Sequence, residues 1–311
     1  MSIENIDKID SHISYIPSFA VKDTLKIIEK KLDKCGLLFR LFGRIKSADS
    51  INKKMTTKNY SNGKKMQDLL GVRIVLYFSD DISICESLLK RMFEVVDVSK
   101  DDSSDDLFHP VRMNYVCKLP ADIYKHMPEQ LWVEHCIDTT MEIQIRTIFS
   151  EGWHEVEHDL RYKHKEDWDN SMDLSRNMNG LFATLETCDW AIQRILEQLA
   201  YRKYQEKDWE SMLRNKLRMR FTDQPLDKRL HKIFNENGED AKQLYRANRN
   251  EFLLFLSYDQ AMSLPKDLNN IVYLLNELFI HNMEISALIP TPLKDNIESV
   301  KNILKLGLGS V

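Results

Sequence analysis

Glycine and proline are scarce, nine and eight among 311 residues. Few positions therefore force a helix to break, and a linker-rich or disordered chain is excluded. Cysteine is sparing too: Cys35, Cys85, Cys117, Cys136 and Cys188 are scattered without a CxxC spacing. That argues against a disulfide framework and reads as thiols of a reducing compartment. No apolar run approaches the ~20 residues that cross a bilayer. The first thirty residues also lack the basic-then-apolar layout of a signal peptide. The expectation is a cytoplasmic protein with no membrane partner. An excess of one charge is missing as well. Lys and Arg number 44 against 48 Asp and Glu, a net charge of −4, so no global field points to nucleic acid or lipid.

Leu, Ile, Met, Lys and Glu are plentiful, the composition of amphipathic helices. Val21, Leu25, Ile28 and Leu32 predict a helix over 19–34, closed by Gly36, with Leu37–Phe42 as the first strand. A helix follows from Ser47, with Ser47 or Asp49 as cap. Val72–Phe78 is strongly β-prone. Asp81–Met92 reads as a helix with Ile84, Leu88 and Leu89 inward, and Phe93–Val98, Met113–Leu119 and Met141–Ile145 as further strands. Residues 56–66 form a basic loop and Asp101–Asp106 an acidic one, which lacks the Gly and Glu of a calcium loop. Beyond Asp167 the pattern turns helical, with Leu181, Leu185, Ile192, Ile195 and Leu199 as a stripe, and Pro290 and Pro292 mark a break before a last helix. The five tryptophans, Trp132, Trp153, Trp168, Trp190 and Trp209, are expected in the core or at interfaces. The fold class is α+β: a mixed-sheet domain over 15–165, then a mostly helical region over 166–311.

Three segments carry chemistry: Gly43-Arg44-Ile45-Lys46-Ser47-Ala48-Asp49-Ser50-Ile51-Asn52-Lys53-Lys54-Met55, Asp68-Leu69-Leu70-Gly71-Val72-Arg73, and Met141-Glu142-Ile143-Gln144-Ile145-Arg146-Thr147. Lys46 and Lys54 straddle a strand end and the second turn of a helix. Both can reach one polyphosphate, helped by the helix N-terminus and the Ser50 hydroxyl. Asp68 stands before one strand and Glu142 within another, and two carboxylates gathered by a sheet suit Mg²⁺. Alone, an Arg-x-Lys pair is usually a solvated surface and an Asp before a strand a turn residue. Joined in this order, the segments resemble the synthetase region of the RelA/SpoT family, which has a nucleotidyltransferase-like fold. The likeness runs over roughly 20–200, through Trp153, Glu157, His158, Arg161-Tyr162-Lys163 and Glu186-Thr187-Cys188-Asp189-Trp190.

That resemblance implies a magnesium-dependent transferase. It would move the β,γ-diphosphate of ATP to the ribose 3′-OH of a guanosine nucleotide and release AMP, giving a (p)ppGpp-like alarmone of the stringent response. Arg44 and Arg73 would hold the adenine between guanidinium planes, which Lys cannot supply. Lys46, Ser50 and Lys54 would hold the phosphates, and Asp68 and Glu142 the metal. Catalysis would rest on Asp68, Glu142, Lys46 and Lys54. Gln144 shares a strand face with Glu142 and is assigned to the acceptor. A synthetase without the family's hydrolase module is expected.

The acceptor half departs from the family pattern. Where Gly-Tyr-x-Ser-x-His is usual, the chain reads Leu107-Phe108-His109-Pro110-Val111-Arg112-Met113-Asn114-Tyr115-Val116. Phe108, His109 and Tyr115 stay open as stacking faces, and Arg112 and Asn114 as polar contacts. Alternatives to a guanosine acceptor are an adenine nucleotide and the 3′ end of tRNA, the latter used by toxic members. Arg202, Lys203, Lys207, Arg214, Lys216, Arg218, Arg220, Lys228, Arg229 and Lys232 could follow an RNA backbone or simply face solvent. A further alternative is an inactive nucleotide sensor. The helical region is open to an antitoxin or other regulatory partner, and to assembly of several copies. Finally, His154-Glu155-Val156-Glu157-His158 satisfies the H-E-x-x-H of zinc proteases. Charged Glu157 is unfavourable there, and His164 and Glu186 match no third-ligand spacing. The segment reads better as a helix behind the Glu142 strand.

Overall fold

The computed structural model describes residues 19–58, 60, 64–100, 113–133, 136–257 and 265–298. The chain divides into two units, Met1–Lys30 with Phe39–Asp189, and Lys31–Leu38 with Trp190–Val311. The first holds a five-stranded sheet: β1 (Phe39–Ile45), β2 (Leu70–Leu76), β3 (Val95–Lys100), β4 (Met113–Lys118) and β5 (Thr140–Thr147), in the order β1-β2-β5-β4-β3. Only β2 and β5 run parallel; the other neighbours are antiparallel. The expected mixed sheet is present. β1 starts later than its hydropathy suggested and runs on through Arg44, because pairing with β2 continues to Ile45 opposite Leu70.

Period-two alternation separates two faces. Val72, Ile74, Tyr115, Cys117, Met141, Ile143 and Ile145 point to a dry core, covered by Ile84, Cys85, Leu88 and Leu89 of a helix over Asp81–Met92. The helix Phe19–Lys34 (α1) crosses β1 so closely that a Cβ on Gly43 would lie 2.6 Å from Val21 Cγ1 and 3.1 Å from Leu25 Cδ1. Gly43 thus belongs to the first motif for a packing reason. On the opposite face the register sets Arg44, Gly71 and Glu142 in one cross-strand row, and Phe42, Arg73, Gln144 and Asn114 in the next. A helix Ala48–Lys58 (α2) follows β1. Thr147 ends β5, and its hydroxyl accepts from the Ser150 N–H at 3.2 Å to cap the helix Ile148–Glu157.

A 34-residue helix covers Met172–Gln205. Its apolar stripe was expected inward, yet Leu181 and Ile195 are 58% and 60% exposed, while Phe182, Asp189 and Ala200 are buried. The buried line therefore runs one position away, about 100° around the helix. Trp132, Trp153 and Trp209 are buried, whereas Trp190 is exposed and so lies outside the core. The second unit is helical, as read. Trp209–Leu217, Lys228–Glu236, Gly238–Arg246, Arg249–Leu256, Leu268–Leu275 and Met283–Leu288 are each opened by an Asp or Asn side chain that accepts a backbone N–H: Asp208, Asp227, Asn237, Asn248, Asp267 and Asn282. Among the described residues no helix is long and apolar enough to cross a membrane.

Two glycines test this packing. Gly43→Ala should cost about 1–3 kcal/mol by forcing α1 off β1. Gly152→Ala, where a Cβ meets nothing within 4 Å inside a helix, should be neutral or stabilise by about 0.5–1 kcal/mol. Denaturation midpoints of the two variants read the contrast directly.

Candidate active site

Pairing with the neighbouring strand outlasts β1, since the Lys46 N–H donates to the Leu69 carbonyl at 2.8 Å. This sets Lys46 beside the turn that carries Asp68. Ser47 then caps α2: its hydroxyl oxygen accepts from the Ser50 N–H at 3.4 Å and lies 2.9 Å from Ser50 Oγ. With the helix so begun, Lys54 arrives on the second turn. The two ammonium groups converge on a single oxygen, Asp68 Oδ2, Lys46 at 2.8 Å and Lys54 at 2.6 Å. Burial works against the charge on Asp68, but hydrogen bonds from both lysines prevail and hold its carboxyl below the usual range. Lys54 is likewise desolvated, yet Asp68 and Tyr60 keep its pKa above the ordinary value. The other carboxylate oxygen, Asp68 Oδ1, is buried without a hydrogen-bond partner.

The parallel β2–β5 pair builds the rest. Gln144 Oε1 accepts from Arg73 Nε at 3.2 Å and Arg146 Nη2 at 3.4 Å, while its Nε2 donates to Glu142 Oε2 at 3.3 Å. Arg73 Nη1 donates to Glu151 Oε1 at 2.5 Å and also to Glu155. Burial disfavours the Arg73 charge, but these two carboxylates more than compensate and raise its pKa. A cavity of about 480 Å³ is lined by Arg44, Lys46, Asp68, Arg73, Glu142 and Gln144, with Glu151 and Glu155 at its wall. Such a volume suits a nucleotide-sized ligand. Ser50 and Lys54 are not in that lining; Lys54 joins the cavity through its pair with Asp68.

Glu151 and Glu155 were not assigned to this site from the sequence. Glu155 is hidden within the H-E-x-x-H segment, and neither lies near Arg73 in the chain. The sequence carried no direct signal for them, because Arg73 and Arg146 come to one sheet face only through the pairing of β2 with β5. The histidines of that segment are otherwise engaged: His154 is buried, and His158 pairs with Asp159 at 2.9 Å and stacks on Tyr162. Among the described residues no group of three or more His, Cys, Asp or Glu is arranged to hold a metal.

On the acceptor side, Tyr115 loses its candidacy as a stacking face. It lies fully buried on the core side, where burial and then Glu86 push its hydroxyl far above the usual pKa. Asn114 stands opposite Gln144 in register, its Oδ1 buried without a partner. Phe108, His109, Arg112 and Asp101–Asp106 lie outside the described residues. Much of the basic series in the second unit is already neutralised: Arg214 pairs with Glu210 at 3.4 Å, Arg220 with Asp33 at 2.7 Å, Arg229 with Asp227 at 2.6 Å and Lys203 with Glu206 at 2.8 Å. Arg218 is buried, and Lys216 is desolvated over the Tyr245 ring.

Residues 43–167 match the family model described as a region found in RelA/SpoT proteins. The GTP pyrophosphokinase YjbM of Bacillus subtilis (strain 168) is 30% identical over 131 residues, 39% of this chain and 56% of that protein. The chain thus spans about half the length of the curated relative it matches. Two solved structures are also similar. A GTP pyrophosphokinase family protein from Streptococcus pneumoniae gives a TM-score of 0.46 at 20% identity, over 63% of this chain and 94% of that one. Small alarmone synthetase 1 from Bacillus subtilis gives 0.43 at 24%, over 61% and 96%.

Because the Asp68 pKa is lowered on folding, its charge adds stability above the unfolded value near ~3.9 and loses it as pH falls through the folded value. Without metal or nucleotide, the protein should be more stable than Asp68→Asn from about pH 5 to 7, with the gap closing below about pH 4. Urea melts across that range measure it. A gap that widened in acid would mean that the lysines do not keep Asp68 ionised.

Proposed function

We propose that this chain, whose residues 43–167 match a region found in RelA/SpoT proteins, is an ATP-dependent pyrophosphokinase acting on the ribose 3′-OH of a guanosine nucleotide. The observation that carries the reading is the convergence of Lys46 and Lys54 on Asp68, in a cavity that Glu142 also lines. Positive groups from two elements meet there beside carboxylates, as neutralising a polyphosphate requires. The activity named for YjbM supports the same reaction and the guanosine acceptor.

In this reading Arg44 and Arg73, which line the cavity from the paired strands β1 and β2, hold the base, and Lys46, Ser50 and Lys54 take the phosphates. The acceptor 3′ oxygen bonds to the β-phosphorus as the bond from that phosphorus to the α,β-bridging oxygen breaks. AMP leaves with the electron pair, and the hydroxyl proton ends in solvent. Fixed lysines favour this step because they face charge that grows on the transferring group and need no reorganisation. Magnesium fits the donor set, since Asp68 Oδ1 is buried and unpartnered and Glu142 lines the same cavity. Bound there by Asp68 and Glu142, it would supply Lewis-acid neutralisation of the phosphate oxygens. For acceptor contact, Asn114 replaces Tyr115 as the candidate, with Gln144 held instead by Arg73, Arg146 and Glu142. The pairing of Arg214, Arg220, Arg229 and Lys203 weakens the case for a tRNA acceptor.

The test is a product analysis with γ-labelled ATP and Mg²⁺, offering GDP, GTP, AMP and tRNA separately. Label on GDP and GTP with stoichiometric AMP release is expected. Glu142→Gln and Lys46→Ala should each slow transfer about 100-fold or more. Label confined to tRNA would replace the acceptor, and ATP binding without AMP formation would make the protein a sensor.

A further inference from the structure

Two carboxylates of the cleft have no part in the transfer described above. Glu151 and Glu155 lie one turn apart on the helix Ile148–Glu157, yet their surroundings differ. The Glu151 side chain is 15% exposed and serves two arginines: Oε1 takes Arg73 Nη1 at 2.5 Å, and Oε2 lies 3.4 Å from Arg146 Nε. Arg73 and Arg146 also share Gln144 Oε1 as acceptor. Arg73, Glu151, Arg146 and Gln144 are therefore linked in a ring whose Arg146–Glu151 side is an ion pair without a hydrogen bond. Glu155 is 53% exposed and meets Arg73 alone.

Geometry gives the ring a purpose. A guanidinium is a rigid plane, and two bonds made by different edges of it, Nε to Gln144 and Nη1 to Glu151, fix that plane. The residue so fixed lines the cavity. An arginine already fixed surrenders little freedom when a planar base binds, so affinity rises without a new contact. Glu151 also lies between two cations, on the neighbouring strands β2 and β5, that would otherwise repel on one sheet face.

We propose that Glu151 is a positioning residue for the nucleotide donor: it holds the Arg73 plane in the orientation that receives the base, with Arg146 as its second anchor, while the more exposed Glu155 contributes less. The proposal rests on the reading that ATP occupies this cavity. An amide cannot replace the carboxylate, because it turns an N–H₂ towards one arginine whichever way it is flipped.

Calorimetric titration of ATP analogue and steady-state kinetics on the full chain test it, with Glu151→Gln, Glu151→Asp and Glu155→Gln. Glu151→Gln should raise the ATP Kd and KM about tenfold while kcat at saturating ATP and the acceptor KM change less than about threefold. Glu151→Asp should recover most of the affinity, and Glu155→Gln, which leaves Glu151 on Arg73, should lose clearly less ATP affinity than Glu151→Gln. Unchanged ATP affinity in Glu151→Gln overturns the proposal while leaving the function intact. An equal loss in Glu151→Gln and Glu151→Asp with a matching fall in melting temperature would make the role merely structural and overturn it too. If the unaltered protein binds no ATP, the functional reading fails and this one with it.

Discussion

One carboxylate oxygen shared by two lysines organises the site. Lys46 comes from the end of a strand, Lys54 from a helix and Asp68 from just before another strand; backbone pairing and the helix start bring them near, and their mutual attraction closes the cluster. Two ammonium groups at such a separation repel unless an anion lies between them. Partial burial makes both the repulsion and its relief larger than at an open surface. The lowered Asp68 pKa and raised Lys54 pKa are two readings of this same balance. A polyphosphate entering there meets cations already assembled.

The sheet supplies the second constraint. With period-two alternation and β2 parallel to β5, Val72, Ile74, Ile143 and Ile145 go to the core, and Arg73, Glu142, Gln144 and Arg146 to the other face. A face so charged cannot be covered by an apolar helix. The helix Ile148–Glu157 instead meets it with carboxylates, Glu151 and Glu155, on the side of Arg73 and Arg146. The cavity is what remains beside Arg44, Gly71 and Glu142.

The order of the three motifs was enough to nominate Arg44, Lys46, Asp68, Arg73, Glu142 and Gln144, and all six line one cavity. Helix Asp81–Met92 was legible to the residue because its periodicity and its ends agree. The edge strand β1 was misplaced by hydropathy because its limits are set by its partner's register. Tyr115 was misjudged as a stacking face because aromatic character is visible in the chain, but the side of the sheet it faces is not. Glu151 was invisible because its partners Arg73 and Arg146 reach it through the parallel pairing of β2 and β5, across 78 residues of chain in the case of Arg73.

The sequence by itself determined the class of fold, the order of elements and the inventory of charged groups, since periodicity and helix caps act over a few neighbouring residues. Tertiary structure alone decided which charges meet: that Lys46 and Lys54 share Asp68, that Gln144 bridges two arginines, and that Arg220 of the second unit meets Asp33. Electrostatic pairing acts through space and depends on burial, and neither the distance between two side chains nor their burial is written along the chain.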